Sequence, residues 1–158
     1  MRIRLAELGD AEAAVRVMRR SIVELCVPDH GNDPFLLTSW LANKTPQHFV
    51  AWLDNPDGVV LVGVDDAGAI AAVGGYSRTG EITLNYVNPE HRFQGASSLL
   101  VAEIERQLRT LGLKTSKLTS TQTAHGFYLA RGYADAGPAV AGRGAAKAQP
   151  MRKTLAGT

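Results

Sequence analysis

The residues from Glu81 to Leu100 constrain the fold of this chain more than any other stretch: Glu-Ile-Thr-Leu-Asn-Tyr-Val-Asn-Pro-Glu-His-Arg-Phe-Gln-Gly-Ala-Ser-Ser-Leu-Leu. β-Branched and aromatic residues crowd Ile82 to Val87, which reads as a strand. Asn88-Pro89 stops it. A helix begins near Gly95, with Leu100, Ile104, Leu108 and Leu111 at helical spacing on one face. Strand, short loop, glycine and helix in that order leave free backbone N–H groups at a helix N-terminus, where an anion can be held. Gly95 has no Cβ to keep a ligand away. Ser97 and Ser98 add hydroxyls in the first turn, and Arg92 adds a cation before it.

The dinucleotide fingerprint and the P-loop are both absent. What stands there instead is Arg92-Phe93-Gln94-Gly95-Ala96-Ser97. It resembles the coenzyme A signature of the GNAT N-acetyltransferase superfamily, Arg/Gln-x-x-Gly-x-Gly/Ala, with Ser97 in place of the usual Gly or Ala. Val87-Asn88-Pro89 looks like that family's fourth strand and its exit. Farther on, Ala124-His125-Gly126-Phe127-Tyr128-Leu129-Ala130-Arg131-Gly132-Tyr133 is similar to a second pattern of the superfamily, Ala-x-x-Phe-Tyr-x-x-x-Gly-Phe/Tyr. It follows at the family's usual distance, past one helix and one strand. Thr121 stands where many members carry Asn near the pantetheine. The alternative on the residues alone is a glycine-bearing helix start with no ligand.

At 158 residues the chain reads as one domain, 1–158. Hydrophobic content of 45% and charged content of 20% fit a soluble globular protein. No apolar run is long enough for a membrane span, and Met1–Leu5 has no apolar region suited to a signal peptide. The single cysteine, Cys26, excludes an internal disulfide and suits a reducing compartment, so the expected location is cytoplasmic. Four of the 17 basic residues, Arg143, Lys147, Arg152 and Lys153, lie in the last 18 positions, which hold no acid. The remainder carries 13 basic against 15 acidic residues, so the basic pI comes from the tail and not from a nucleic-acid-binding face. No metal-ligand spacing is assembled.

In chain order, Arg2–Leu5 reads as a strand, Asp10 as the cap of a helix from Ala11 to Leu25, and Val27-Pro28 as its end. Asp29 to Pro34 is a polar loop. Short helices follow over Phe35–Leu41 and Pro46–Leu53, the second capped by Thr45. Val59–Val64 is a nearly continuous apolar run, hence a strand buried on both faces. Turns at Asp65–Gly68 and Ser77–Gly80 connect it through Ala69–Tyr76 to the central strand. Then come a strand over Lys117–Ser120, a helix over Thr123–Arg131, a strand from Tyr133, a mobile Gly/Ala-rich loop over Ala139–Gln149, and a closing strand over Met151–Leu155. The expected fold is α/β (α+β): a mixed, mostly antiparallel sheet of six or seven strands with helices on both faces. A parallel crossover through the central helix would open a cleft between two strands.

The resemblance implies acetyl-coenzyme A as cosubstrate and an acceptor amine on a small molecule or peptide. Arg92, Phe93, Gln94, Gly95, Ala96, Ser97 and Ser98 would hold the pyrophosphate. The backbone of Tyr86 and Val87 would pair with the pantetheine, with Thr121 nearby. Tyr128 is the candidate general acid, since a phenol is protonated at neutral pH and can donate to a thiolate; packing alone is its alternative. Glu81 is the candidate base, or else an exposed glutamate after a turn. The resemblance places Asp29, His30, Asn32 and Asp33 on the acceptor side, with Trp40, Asn43, Lys44 and Asn85; solvated loop residues are the alternative. His91 lies beside the phosphate loop. A homodimer would be unsurprising for the family. Two other classes are weighed: a coenzyme A-binding sensor without catalysis, against which Tyr128 argues, and a nucleic-acid module, against which the lack of aromatic interleaving in the tail argues.

Overall fold

The computed structural model describes residues 1–142 and 145–156. Strand β1 (Arg2–Leu5) leads into helix α1 (Ala11–Leu25). Asp10 does not cap α1. Its carboxylate accepts from the Glu7 amide at 2.8 Å and pairs with Arg4, closing a one-turn 3-10 helix over Leu8–Asp10. α1 stops where Val27-Pro28 predicts, but Val27–His30 then forms a single turn, α2, because proline is tolerated at the first positions of a helix. Helices α3 (Pro34–Leu41) and α4 (Pro46–Asp54) follow, and Thr45 Oγ1 caps α4 by accepting from the His48 amide at 3.2 Å.

Strands β2 (Gly58–Val64), β3 (Ile70–Ser77) and β4 (Ile82–Val87) form the expected meander, with β1 added at its outer edge in the antiparallel order β1-β2-β3-β4. Along β2, Val60, Val62 and Val64 pack toward α1 and α4 with Met18 and Phe49. Val59 and Leu61 pack on the other face against helix α5 (Ala96–Thr110). Both faces are therefore dry, which is why β2 is apolar without alternation. α5 presents Leu100, Ile104 and Leu108 to the sheet, but Leu111 lies past its last turn and is 44% exposed. A Cβ on Gly74 of β3 would sit 2.6 Å from Leu100 Cδ2, so only glycine lets α5 lie this close.

After α5 come β5 (Thr115–Ser120), α6 (Gln122–Ala130), β6 (Ala134–Asp135), β7 (Val140–Gly142) and β8 (Ala145–Thr154). β5, β8 and β6 form a second antiparallel sheet, with β7 paired to β8. The described residues thus contain eight strands rather than six or seven. The stretch expected as a mobile loop is mostly strand; Arg143 and Gly144 lie outside the described residues. Its small side chains had hidden it, since pairing to β8 and not side-chain pattern defines β7.

The two sheets meet at one parallel bridge, Glu81 with Lys117, where the Lys117 amide donates to the Gly80 carbonyl at 2.9 Å. This is the expected parallel crossover. The register between β3 and β4 slips by one residue between Leu84 and Ile82, leaving Thr83 as the extra residue of a bulge. Bulges bend and twist a strand, and beyond the bridge no ladder joins β4 to β5 among the described residues. The outer edge of β4 therefore opens into a split.

Candidate active site

The loop after β4 is held from below. Asn88 Oδ1 accepts from the Glu90 amide at 3.1 Å, and its Nδ2 donates to the Ile70 carbonyl at 3.2 Å. The chain then turns through two left-handed residues, Phe93 (φ 65°) and Gly95 (φ 81°). Gly95 is the N-cap of α5 and offers no side chain, and a Cβ there would meet nothing within 4 Å. The first-turn amides of α5 thus face open space, with no protein side chain capping them.

That space is a cavity of about 460 Å³. Arg92, Phe93, Gly95, Ala96, Ser97 and Ser98 form one end. Asn85, Tyr86 and Val87 of β4 form a wall, and α6 closes it with Thr121, Thr123, Ala124, Phe127 and Arg131. Of the residues expected to hold the donor, all but Gln94 line it. Thr121 does so while capping α6, its Oγ1 accepting from the Ala124 amide at 3.1 Å.

Arg131 was not among the expected residues. Its Nε donates to Ser98 Oγ at 3.0 Å, its Nη2 reaches the same oxygen, and its guanidinium lies 4.2 Å from the Phe127 ring centre. It sits inside the second sequence pattern, but only the fold shows that α6 ends beside the start of α5. Arg92 lies 4.5 Å from the ring of Phe93, which is 90% exposed. Two guanidiniums and a helix N-terminus thus converge on one mouth, an arrangement suited to a diphosphate. His91 also lines the cavity. Its Nε2 lies 2.9 Å from Asp65 Oδ2, a contact that holds the Asp65 carboxyl below its usual range, and its buried Nδ1 has no protein partner.

Ser21 and Leu25 of α1 and Cys26 just past its end reach the same cavity, with no sequence signal to announce them. Burial, aided by the nearby Asp29 charge, pushes the Cys26 thiol up to about 12, so it is a packed thiol and not a nucleophile.

Tyr128 lies deeper, 5% exposed, against Phe127 and Tyr133. Its hydroxyl accepts from Asn85 Nδ2 at 2.8 Å. That leaves the phenolic hydrogen for another acceptor. Burial raises its pKa to about 12, against a smaller opposing effect of Asn85. Tyr128 and Asn85 line a small cavity of about 80 Å³ in the split itself, between β4 and the residues Leu118–Thr121. Asn85 thus belongs to the split, beside the phenol. Glu81 stands at the bridge, about 20 Å along β4 from Val87 at strand rise, and lines none of these cavities.

The stretch expected to form an acceptor wall is instead structural. The Asp29 carboxylate accepts from the Gln122 amide (2.6 Å), the Thr123 amide (3.1 Å) and Thr123 Oγ1 (2.5 Å), capping α6 from a distant part of the chain. His30 is 1% exposed, with Nε2 against the Ile22 carbonyl and Nδ1 accepting from the Asn32 amide. Asn32 is an exposed turn residue with φ 61° and lines neither the donor cavity nor the small cavity in the split. Asp33 Oδ1 caps α3. Buried polar groups must be satisfied, and Asp29 and His30 find their partners chiefly in backbone groups of other segments. Trp40 is buried with Nε1 3.4 Å from Tyr86 Oη, and lines a second large cavity on the α3–α4 side.

Residues 39–155 match the family described as acetyltransferase (GNAT) domain. The chain belongs to this family. The fold agrees. A GCN5-related N-acetyltransferase from Rhodopseudomonas palustris superposes with a TM-score of 0.86 at 20% identity, over 98% of this chain and 95% of the other. The PaiA N-acetyltransferase of Thermoplasma acidophilum, solved with coenzyme A, gives 0.79 at 17% identity, over 97% and 98%. An amino-acid acetyltransferase of Pseudomonas syringae pv. syringae is 43% identical over 51 residues, 32% of this GNAT chain but only 12% of that relative's length. Among the described residues, no helix is long and apolar enough to cross a membrane, and no cluster of His, Cys, Asp and Glu could hold a metal ion.

Proposed function

We propose that this GNAT domain moves the acetyl group of acetyl-coenzyme A to a primary amine of a small molecule or peptide, by direct attack with both substrates bound. The observation that carries this reading is continuity along β4. The donor cavity with its cationic mouth and the small cavity that holds the Tyr128 hydroxyl share β4 as a wall, on the edge that no ladder covers among the described residues. Acetyl-coenzyme A supplies the activated thioester. The α5 amides, Arg92 and Arg131 hold its diphosphate. The outer edge of β4 offers the backbone groups of Val87 to the amides of the arm, as an added strand would, while those of Tyr86 face Val73 of β3. Tyr128 donates its free hydrogen to the leaving sulfur, with Asn85 fixing the hydroxyl from the other side. Glu81 takes the amine proton through water, being at the split's closed end and outside the cavities. A pH–rate profile of Glu81→Gln tests that role, and an unchanged acidic limb removes it.

Titration with acetyl-coenzyme A followed by thiol release against a panel of amines tests the whole reading. Binding with amine-dependent thiol release is expected. Binding without turnover on any amine would make the domain a non-catalytic coenzyme A sensor. As a check on the mouth, Gly95→Val places a branched side chain at φ 81° in the open space above α5. It is expected to weaken acetyl-coenzyme A binding by tenfold or more because the side chain takes up space the diphosphate needs, while the left-handed strain of about 1–2 kcal/mol falls on free and bound protein alike and lowers the thermal midpoint.

A further inference from the structure

The cavity on the α3–α4 side has a volume of about 460 Å³, the same as the donor cavity and within the range of small-molecule sites. It leans on the same strand. Thr83, Leu84 and Tyr86 line both it and the small cavity in the split, while Asn85, Tyr86, Thr121 and Ala124 line both the split and the donor cavity. The small cavity in the split, which Tyr128 lines, therefore adjoins both larger ones.

Trp40, Trp52, Tyr76 and Tyr86 give this second cavity aromatic walls. Among its lining residues the one cation is Lys44 and the one carboxylate is Asp57, which is exposed at the rim. Lys44 is 4% exposed. Its Nζ donates to Asn43 Oδ1 at 2.7 Å and lies 6.0 Å and 5.9 Å from the ring centres of Trp52 and Tyr86. The aromatic faces that would attract a cationic ligand thus already flank a cation of the protein.

We propose that this cavity holds the acceptor, and that Lys44 selects amines that also carry a carboxylate. The inference rests on the transferase reading above. An ammonium taken out of water gains most from an anionic oxygen brought in by the ligand, because opposite charges interact more strongly away from solvent. A polycationic amine would meet like charge against the same walls. A small amino acid satisfies both demands, its carboxylate at Lys44 and its amine directed along β4 toward the split.

The test compares matched acceptors on the wild-type protein at saturating acetyl-coenzyme A: a panel of amino acids, the carboxamide of each, and spermidine. The expected result is a kcat/KM about 10–100-fold higher for at least one amino acid than for its carboxamide, the size of a lost charge-assisted hydrogen bond. The carboxamide's amine is less basic and more often neutral, so simple reactivity works against this preference. Lys44→Met is expected to bring the ratio toward unity, and Lys44→Arg to keep part of it. Should these variants fail to fold, the wild-type ratios decide. Carboxamides or spermidine used as well as the amino acids would overturn the inference, as would a preference that survives in Lys44→Met. If acetyl-coenzyme A binds but no amine is turned over, the transferase reading fails. Equilibrium binding of amino acid against carboxamide to the coenzyme A-bound protein then decides this inference separately: tighter binding of the amino acid supports it, and equal binding overturns it.

Discussion

Tyr128→Phe removes one oxygen atom from the middle of the proposed reaction path. Two quantities set the expected loss. General acids contribute roughly 10²–10⁴-fold to a rate. The phenol here stands at about 12, whereas an ordinary thiol has a pKa of about 8.5. Complete proton transfer from Tyr128 to a departing thiolate would therefore run uphill by about 3.5 units, or about 5 kcal/mol. A hydrogen bond donated to the developing charge needs no such transfer and is worth about 1.5–3 kcal/mol, which is a factor of about 10–150. The burial that keeps the phenol protonated thus also moves its contribution to the low end of the general-acid range. We expect kcat to fall by roughly 10²-fold, with the acetyl-coenzyme A affinity little changed. The Asn85 amide would lose its acceptor at 2.8 Å, so the thermal midpoint should fall as well, by the equivalent of about 1–3 kcal/mol. Thiol release measured well below that midpoint separates the two effects. A phenylalanine variant with unaltered kcat would refute the role, and one losing 10⁴-fold would refute the hydrogen-bond argument in favour of full transfer.

Gly74→Ala should destabilise the fold by about 1–3 kcal/mol, because its Cβ meets Leu100 at 2.6 Å, and should cost less in a Leu100→Ala background, itself destabilised by the lost core contacts; denaturant midpoints for the double-mutant cycle check this. Asp29→Ala should lower stability by about 1–3 kcal/mol through the lost cap of α6, with the calorimetric midpoint falling in step. Alkaline pH should also destabilise the fold. Burial raises Tyr76, Tyr128 and Tyr133 in the folded state, so below about pH 10 their neutral forms are native and unfolded alike. From there upward the unfolded chain loses protons first and stability falls until the folded values are passed, Tyr128 alone accounting for about 3 kcal/mol; tyrosinate absorbance tracked against unfolding midpoints measures it.

The local elements and the donor mouth were legible because their signals are local. The apolar run of β2 and the helical spacing of Leu100, Ile104 and Leu108 state which surfaces must be dry. Gly95 and its neighbours state where a helix must begin uncapped. What local pattern could not supply is which polar side chain is consumed by which distant backbone. Asp29, His30 and Asn32 look like an acceptor-side or solvated loop in one dimension. In three, an aspartate about 90 residues before α6 is its cap, and the histidine is packed beneath α1. β7 escaped notice for a related reason, since a short strand of small residues is defined by its partner.

The sequence by itself determined that a strand, a left-handed glycine and an uncapped helix follow one another, because backbone sterics and hydrogen-bond supply act over a few residues. Only the tertiary structure decided that a bulge at Thr83 parts β4 from β5, that Arg131 arrives beside Ser98, and that Lys44 is enclosed by Trp52 and Tyr86. Those outcomes depend on how whole elements pack to exclude water, and packing joins residues that the chain keeps far apart.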